Sequence, residues 1–324
     1  MQKKDLRIEE IKKNIMSVLF LDQRKNVKYW LKALKKALPN TKIEAYPQVE
    51  KPEEVEFIIT MKPKKEVIDR FPNAKVIQSF GAGVDHILAE KVLKKGVILA
   101  RVVDPYLTED MFEFILTGVL IQMKCLPIYI NQQKKGLWKP REYKRIQDIT
   151  IAILGLGKIG GTVGMKLAAL GFRVKGWSNS AKNLIGVNSF IGKENLADCL
   201  ADAHFLVNIL PATPRTFQIL NRNNLQYLPQ GAFLINVGRG SHMHEADLLH
   251  LLNEKQLSGV LLDVFNEEPL RSDHFFWEHP KVLLTPHIAS RTNPDSAAQQ
   301  IGENYRRFKA NLPLENVVEL VKGY

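Results

Sequence analysis

The chain has 324 residues, 45% of them hydrophobic and 25% charged, an ordinary globular composition and enough length for two compact domains. Its net charge is +12, yet lysines such as Lys12, Lys35, Lys64, Lys94, Lys134 and Lys255 are spread along the chain, with no nucleic-acid-binding motif beside them; the expectation is a solvated surface that attracts anionic substrates, with no nucleic-acid partner. No apolar stretch approaches the ~20 residues that span a bilayer, so no membrane partner is expected.

Residues 1–17 are charged and mixed in sign, with Asp5, Glu9 and Glu10 among the lysines. They lack a signal-peptide apolar stretch, and a transit peptide would be poorer in acids, so a cytoplasmic location is the default. Met16-Ser17 directly precedes the first apolar run, which makes residues 1–15 either an added amphipathic helix or sequence upstream of the true start. Residues 18–21 are predicted to be a buried strand, and 27–38 carry Trp30, Leu31, Leu34 and Leu38 at helical spacing before Pro39. Further strands are expected at 57–60, 76–80 and 97–100, and strands separated by helices point to a parallel α/β unit. Asp104-Pro105 reads as a crossover, followed by a long helix at about 107–123 and a polar linker over 131–145. A second series of six strands is expected at 151–154, 173–177, 205–209, 233–236, 259–263 and 282–285, which suits a doubly wound dinucleotide fold. The last helix, about 294–310, has no strand after it and is expected to pack back on the N-terminal domain. Cys125 and Cys199 lie in apolar context without a ligand pattern and read as buried free thiols, with no metal site and no disulfide framework.

Gly155-Leu156-Gly157-Lys158-Ile159-Gly160 follows the apolar run at 151–154 and opens a helix over 162–170. In such a turn the first glycine makes the bend, the second lets backbone approach a pyrophosphate, and the third permits close helix–strand packing. Phosphate would then sit on the free amides of the helix N-terminus. The end of the second strand selects between the two nicotinamide cofactors, because an acid there binds a ribose 2′-hydroxyl and repels a 2′-phosphate. This chain has Trp177-Ser178-Asn179-Ser180-Ala181-Lys182 and no acid. Ser178, Asn179, Ser180 and Lys182 favour NADPH, and the absence of an arginine keeps NADH possible.

Three further residues stand in order just past apolar runs: Arg239 in Asn236-Val237-Gly238-Arg239-Gly240, Glu268 in Asn266-Glu267-Glu268-Pro269, and His287 in Thr285-Pro286-His287. They suffice for reducing a 2-keto acid. Arg239 offers a fork for the carboxylate and the keto oxygen, His287 can deliver a proton near neutrality, and Glu268 can orient and charge that imidazole. His242 and His244, in Gly240-Ser241-His242-Met243-His244, have no acidic or cysteine support for a metal and are read as loop residues.

These motifs resemble those of the D-isomer-specific 2-hydroxyacid dehydrogenases over nearly the whole chain after Met16. Phe80-Gly81-Ala82-Gly83-Val84-Asp85 resembles the family's substrate loop, whose amides bind the substrate carboxylate; Leu210-Pro211-Ala212-Thr213-Pro214 resembles its cofactor-side loop, and Leu262-Asp263-Val264-Phe265 carries its nicotinamide-contacting aspartate. The resemblance implies a catalytic Arg239, Glu268 and His287, cofactor contacts from Leu210, Pro211, Val237 and Asp263, and substrate contacts from Ala82, Gly83, Arg239 and His287. Trp138-Lys139-Pro140-Arg141-Glu142-Tyr143 and the terminal Lys322-Gly323-Tyr324 are similar to one branch, which implies NADPH-dependent reduction of glyoxylate and hydroxypyruvate and a homodimer joined through the dinucleotide domains. Two positions depart from that branch. Met61 stands where it has a tryptophan, which would soften the substrate pocket, and Asn179 stands where its phosphate-binding arginine is expected, leaving more of the charge to Lys182.

The expected architecture is α/β with two doubly wound parallel-sheet domains: a flavodoxin-like substrate domain from 1–104 with 291–324, and a Rossmann-type dinucleotide domain from 105–290. The expected activity is NAD(P)H-dependent reduction of a small 2-keto acid with His287 as proton donor. The rivals are an NAD-linked D-lactate-like or phosphoglycerate-like dehydrogenase, and a non-catalytic dinucleotide-sensing module like the corepressor relatives.

Overall fold

A computed structural model describes residues 17–22 and 27–320; the stretch before Met16 and the terminal Lys322-Gly323-Tyr324 lie outside the described residues. The chain divides into two compact units, Met1–Pro105 with Thr292–Tyr324, and Tyr106–Arg291.

In the first unit five parallel strands, β1 (Ser17–Leu21), β2 (Ile43–Ala45), β3 (Val55–Thr60), β4 (Val76–Ser79) and β5 (Ile98–Ala100), lie in the order β2-β1-β3-β4-β5, the flavodoxin-like order. Every residue of β1 is buried. A parallel sheet covered on both faces needs continuous apolar runs rather than alternation, and Val18-Leu19-Phe20-Leu21 provides one. The helices α1 (Val27–Ala37), α2 (Lys65–Ile68) and α3 (Asp85–Ala89) come from this part of the chain. The chain's last helix, Pro294–Lys309, returns to this unit. The Asn293 side chain caps it by accepting from the Asp295 and Ser296 amides, with Pro294 in its first turn. Gly302 seats it closely against Ala37 of α1.

The second unit holds seven parallel strands in the order β12-β11-β10-β9-β6-β7-β8. They are β6 (Thr150–Leu154), β7 (Arg173–Ser178), β8 (Val187–Ile191), β9 (Phe205–Asn208), β10 (Ala232–Asn236), β11 (Leu257–Leu262) and β12 (Val282–Leu284). Strand order reverses between β6 and β9, the switch point at which doubly wound sheets bind ligands beyond their carboxyl ends. Two apolar clusters cover the sheet, one including Leu154, Leu206, Leu234 and Leu262, the other Ile115, Ile153, Val207 and Ile235.

Three expectations need correction. Six strands were expected here and there are seven, because β8 is an edge strand whose Asn188 and Ser189 break the apolar signal. In the first unit the three-residue β2 went unpredicted. Residues 131–134, expected in a polar linker, close a helix, Leu126–Lys134; only Gln132 of this helix is buried, so its apolar pattern is faint. No single helix among the described residues is long and apolar enough to cross a membrane.

Candidate active site

The glycine turn leaves β6 and enters a helix at Lys158–Ala169, four residues earlier than expected. Its three glycines meet different surroundings. Gly155 has φ +108°, and a Cβ there would sit 3.1 Å from the Ile209 carbonyl and the Leu210 nitrogen. A Cβ on Gly157, the N-cap, would meet nothing within 4 Å, whereas one on Gly160 would overlap the Gly155 carbonyl oxygen. Bend, open approach and close packing are thus divided among the three, and the open place lies at a helix N-terminus, where amides and dipole favour an anion. Lys158 is exposed beside it and Ile159 is half-buried. Leu156 and Val237 are core side chains, which leaves only their backbone to a ligand. These residues fit a dinucleotide pyrophosphate.

At the end of β7 the Ser178 side chain is buried and its hydroxyl donates to the Ser180 carbonyl (2.7 Å). Asn179, Ser180 and Lys182 are exposed, and the Lys182 carbonyl accepts from Ser189 of β8 (2.8 Å). The loop is therefore pinned at its backbone and presents an amide, a hydroxyl and an ammonium outward.

Arg239, Glu268 and His287 follow β10, β11 and β12, three successive neighbours in the sheet. Glu268 and His287 meet directly. The Glu268 carboxylate accepts from His287 Nδ1 (2.8 Å) through one oxygen and from the Phe265 amide (3.1 Å) through the other. A carboxylate on Nδ1 fixes a hydrogen there and leaves Nε2 for a substrate. His287 has φ +54°, a left-handed conformation uncommon outside glycine. Asp263, itself 1% exposed, holds residues on both sides of it, accepting from the Thr285 side-chain hydroxyl (2.6 Å) and from the Ile288 and Ala289 backbone amides (both 2.8 Å).

Arg239 is half-buried and its Nη1 donates to the Gly238 carbonyl (2.8 Å). Both flanking glycines are required by space. A Cβ on Gly240 would overlap the backbone of Phe265, and one on Gly238 would lie 2.8 Å from Asn208 Nδ2. Arg239 thus stands wedged between the loop that carries Glu268 and the end of β9. His242, read from sequence as a loop residue, is completely buried behind it among Asn208 and Asn236. The signal available was a polar residue closing each of two buried apolar runs, Asn208 and Asn236. His244 is a half-exposed loop residue beside Asp247 (3.0 Å).

In the first unit Met61 follows β3 and the Gly81-Ala82-Gly83 loop follows β4, its paired neighbour. Met61 packs on Gly81 so closely that a Cβ there would strike its Cε. The Gly81 carbonyl accepts from Ser79 Oγ (3.1 Å) and the Val102 amide (3.2 Å), and the Ala82 carbonyl from Arg101 (3.3 Å). In a trans peptide the N–H points opposite its carbonyl, so tying these two carbonyls down turns the amides of Ala82 and Gly83 the other way. Ser79 and Arg101 were not singled out in the sequence.

Such a fold, with a glycine turn suited to a phosphate on one strand end and a carboxylate–imidazole pair on another, defines a dinucleotide-dependent dehydrogenase class. Residues 116–289 match the family model for the NAD binding domain of D-isomer specific 2-hydroxyacid dehydrogenases. The chain is 36% identical to glyoxylate/hydroxypyruvate reductase A of Yersinia enterocolitica, over 95% of this chain and all of that one. It resembles the crystal structure of a D-isomer specific 2-hydroxyacid dehydrogenase from Xanthobacter autotrophicus Py2 in complex with NADPH and MES, with TM-score 0.91 and 36% identity over 95% of this chain and 99% of that one. A structure of NADPH-dependent glyoxylate/hydroxypyruvate reductase from Sinorhizobium meliloti with NADP and sulfate aligns with TM-score 0.89 and 33% identity, over 95% of this chain and all of that one. The chain belongs to the D-isomer specific 2-hydroxyacid dehydrogenase family.

Proposed function

We propose that this protein is an NADPH-preferring reductase of small 2-keto acids, of the glyoxylate and hydroxypyruvate type. The observation that carries the reading is the Glu268–His287 pair, whose hydrogen bond to Nδ1 commits the opposite ring nitrogen to the substrate. The bound dihydronicotinamide supplies the hydride. His287 gives the keto oxygen its proton from Nε2 while Glu268 remains ionised on Nδ1 and stabilises the charged ring. Arg239, a rigid fork of donors, neutralises the carboxylate and polarises the keto group. The turned-out amides of Ala82 and Gly83, bordered by Met61, are donors of the kind that a substrate carboxylate uses. The phosphate turn from Gly155 to Gly160 holds the pyrophosphate, with Leu210, Pro211, Val237 and Asp263 as further cofactor contacts. Asn179, Ser180 and Lys182 receive the 2′-phosphate, whereas Ser178, expected from the sequence to do so too, is buried with its hydroxyl on the Ser180 carbonyl and pins the loop instead.

The protein forms a homodimer through the surface around the helix at Leu126–Lys134. Leu126, Ile128, Ile130, Leu137, Trp138 and Tyr143 are all exposed there, Trp138 by 99%, and an apolar patch of this kind favours a second copy of the chain. Sedimentation of the wild type against Trp138→Ser with Ile130→Asp tests this; a monomeric wild type would remove the proposal. A cytoplasmic place fits the two free thiols, Cys125, half-buried, and Cys199, buried, whose thiol is pushed up to about 12 by burial.

Initial rates with NADPH and NADH against glyoxylate, hydroxypyruvate and pyruvate, followed by nicotinamide absorbance, decide the main reading. NADPH with either of the first two acids is expected to be the fastest combination. A preference for NADH with pyruvate would point to a D-lactate-like enzyme, and no turnover with any acid to a non-catalytic sensor.

A further inference from the structure

We infer that His242 is a positioning residue that couples the Arg239 backbone to the cofactor-side loop at Pro211. The inference rests on the proposed roles of Arg239 and Pro211.

His242 ends the short turn Gly240–His242 that follows Arg239, and no part of it is exposed. Its Nδ1 lies 3.2 Å from the Arg239 amide and 2.8 Å from Asn208 Nδ2, and its Nε2 lies 3.2 Å from the Pro211 carbonyl. The hydrogen positions follow from the partners. A backbone amide can only donate, so Nδ1 accepts and bears no hydrogen; a carbonyl can only accept, so Nε2 carries the hydrogen. Asn208 also donates to Asn236 Oδ1 (2.8 Å), which accepts from the Gly238 amide (3.2 Å), while Asn236 Nδ2 donates to the Arg239 carbonyl (3.2 Å). The peptide groups on both sides of Arg239 are therefore fixed by one buried cluster. The imidazole spans directly from the Arg239 amide to the Pro211 carbonyl, beside a longer route in which Asn208 Oδ1 accepts from the Leu210 amide (3.4 Å). Its own main chain is anchored separately, since the His242 carbonyl accepts from the Leu220 amide (2.8 Å).

The two ring nitrogens have different partners, so their contributions can be separated. Asparagine places its oxygen near the Nδ1 position and keeps the Arg239 side of the link. Glutamine places its amide nitrogen near the Nε2 position and keeps the Pro211 side. Leucine keeps volume and loses both. Steady-state kinetics of His242→Asn, His242→Gln and His242→Leu with NADPH and glyoxylate test the inference, with thermal melts beside them. In His242→Asn the KM for NADPH is expected to rise about tenfold, the scale of one lost buried hydrogen bond, while that for glyoxylate stays within about twofold. In His242→Gln the KM for glyoxylate rises and kcat falls, each by about tenfold, while the KM for NADPH stays within about twofold. His242→Leu shows both losses.

A plug with only a packing role would move both KM values together as the melting temperature falls. That result, wild-type kinetics in the Asn and Gln variants, or their failure to fold, would overturn the coupling. Absence of NADPH-dependent glyoxylate reduction in the wild type is a separate failure, that of the reading on which the inference rests.

Discussion

At the scale of single residues, the arrangement turns on how a histidine is kept in a conformation it disfavours. A left-handed non-glycine residue costs of order 1–3 kcal/mol and persists only where its surroundings over-determine it. Here Asp263 supplies the constraint through three hydrogen bonds to the residues flanking His287. Asp263→Asn would set an amide against at least one N–H donor. That variant should lose about 1–3 kcal/mol of stability in urea titrations, and its kcat should fall because the ring leaves the geometry set by Glu268. His287→Ala removes the proposed proton donor and should lower kcat by about 10²- to 10⁴-fold with little change in stability. If Asp263→Asn melts lower yet turns over at the wild-type rate, the clamp is structural only.

At the scale of elements, the glycines of two loops separate ligand approach from packing. Gly157→Ala adds a methyl group where nothing stands within 4 Å, so the folded protein should melt as the wild type does. The same methyl occupies the place into which a pyrophosphate would come, so the NADPH dissociation constant, read by fluorescence titration, should rise about tenfold or more. Gly240→Ala should do the opposite in kind. Its methyl overlaps Phe265, the β10 and β11 loops must part, and stability should drop by about 1–3 kcal/mol along with activity. The glycine turn was readable because three glycines at fixed spacing followed a buried apolar run. Strands β2 and β8 were not: β2 has three residues and its buried position is Glu44, and β8 has no fully buried residue and carries Asn188 and Ser189. The His242 cluster was hidden for a different reason. A buried polar network is defined by partners drawn from β9, β10 and the turn after it, and sequence spacing carries no sign of which asparagine meets which histidine.

At the scale of the molecule, the order Arg239, Glu268, His287 was legible because each follows a strand, and parallel strands deliver their ends to one edge. The net charge of +12 gives a prediction at this scale. If the surface field gathers anionic substrate, raising ionic strength through the physiological range should raise the KM for glyoxylate and leave kcat unchanged; a KM indifferent to salt would show that the charge is only a solubilising coat. The loop after β7 has a consequence of another sort. Its backbone is pinned by Ser178 and Ser189 while Asn179 faces solvent and holds up nothing in the core. A codon for asparagine is one base from a codon for aspartate, so Asn179→Asp should turn the protein toward NADH with no loss of fold, seen as a reversed ratio of kcat/KM for the two cofactors. That outcome would make cofactor identity a trait open to one base change, while the proposed catalytic residues stay tied to the ends of three neighbouring strands.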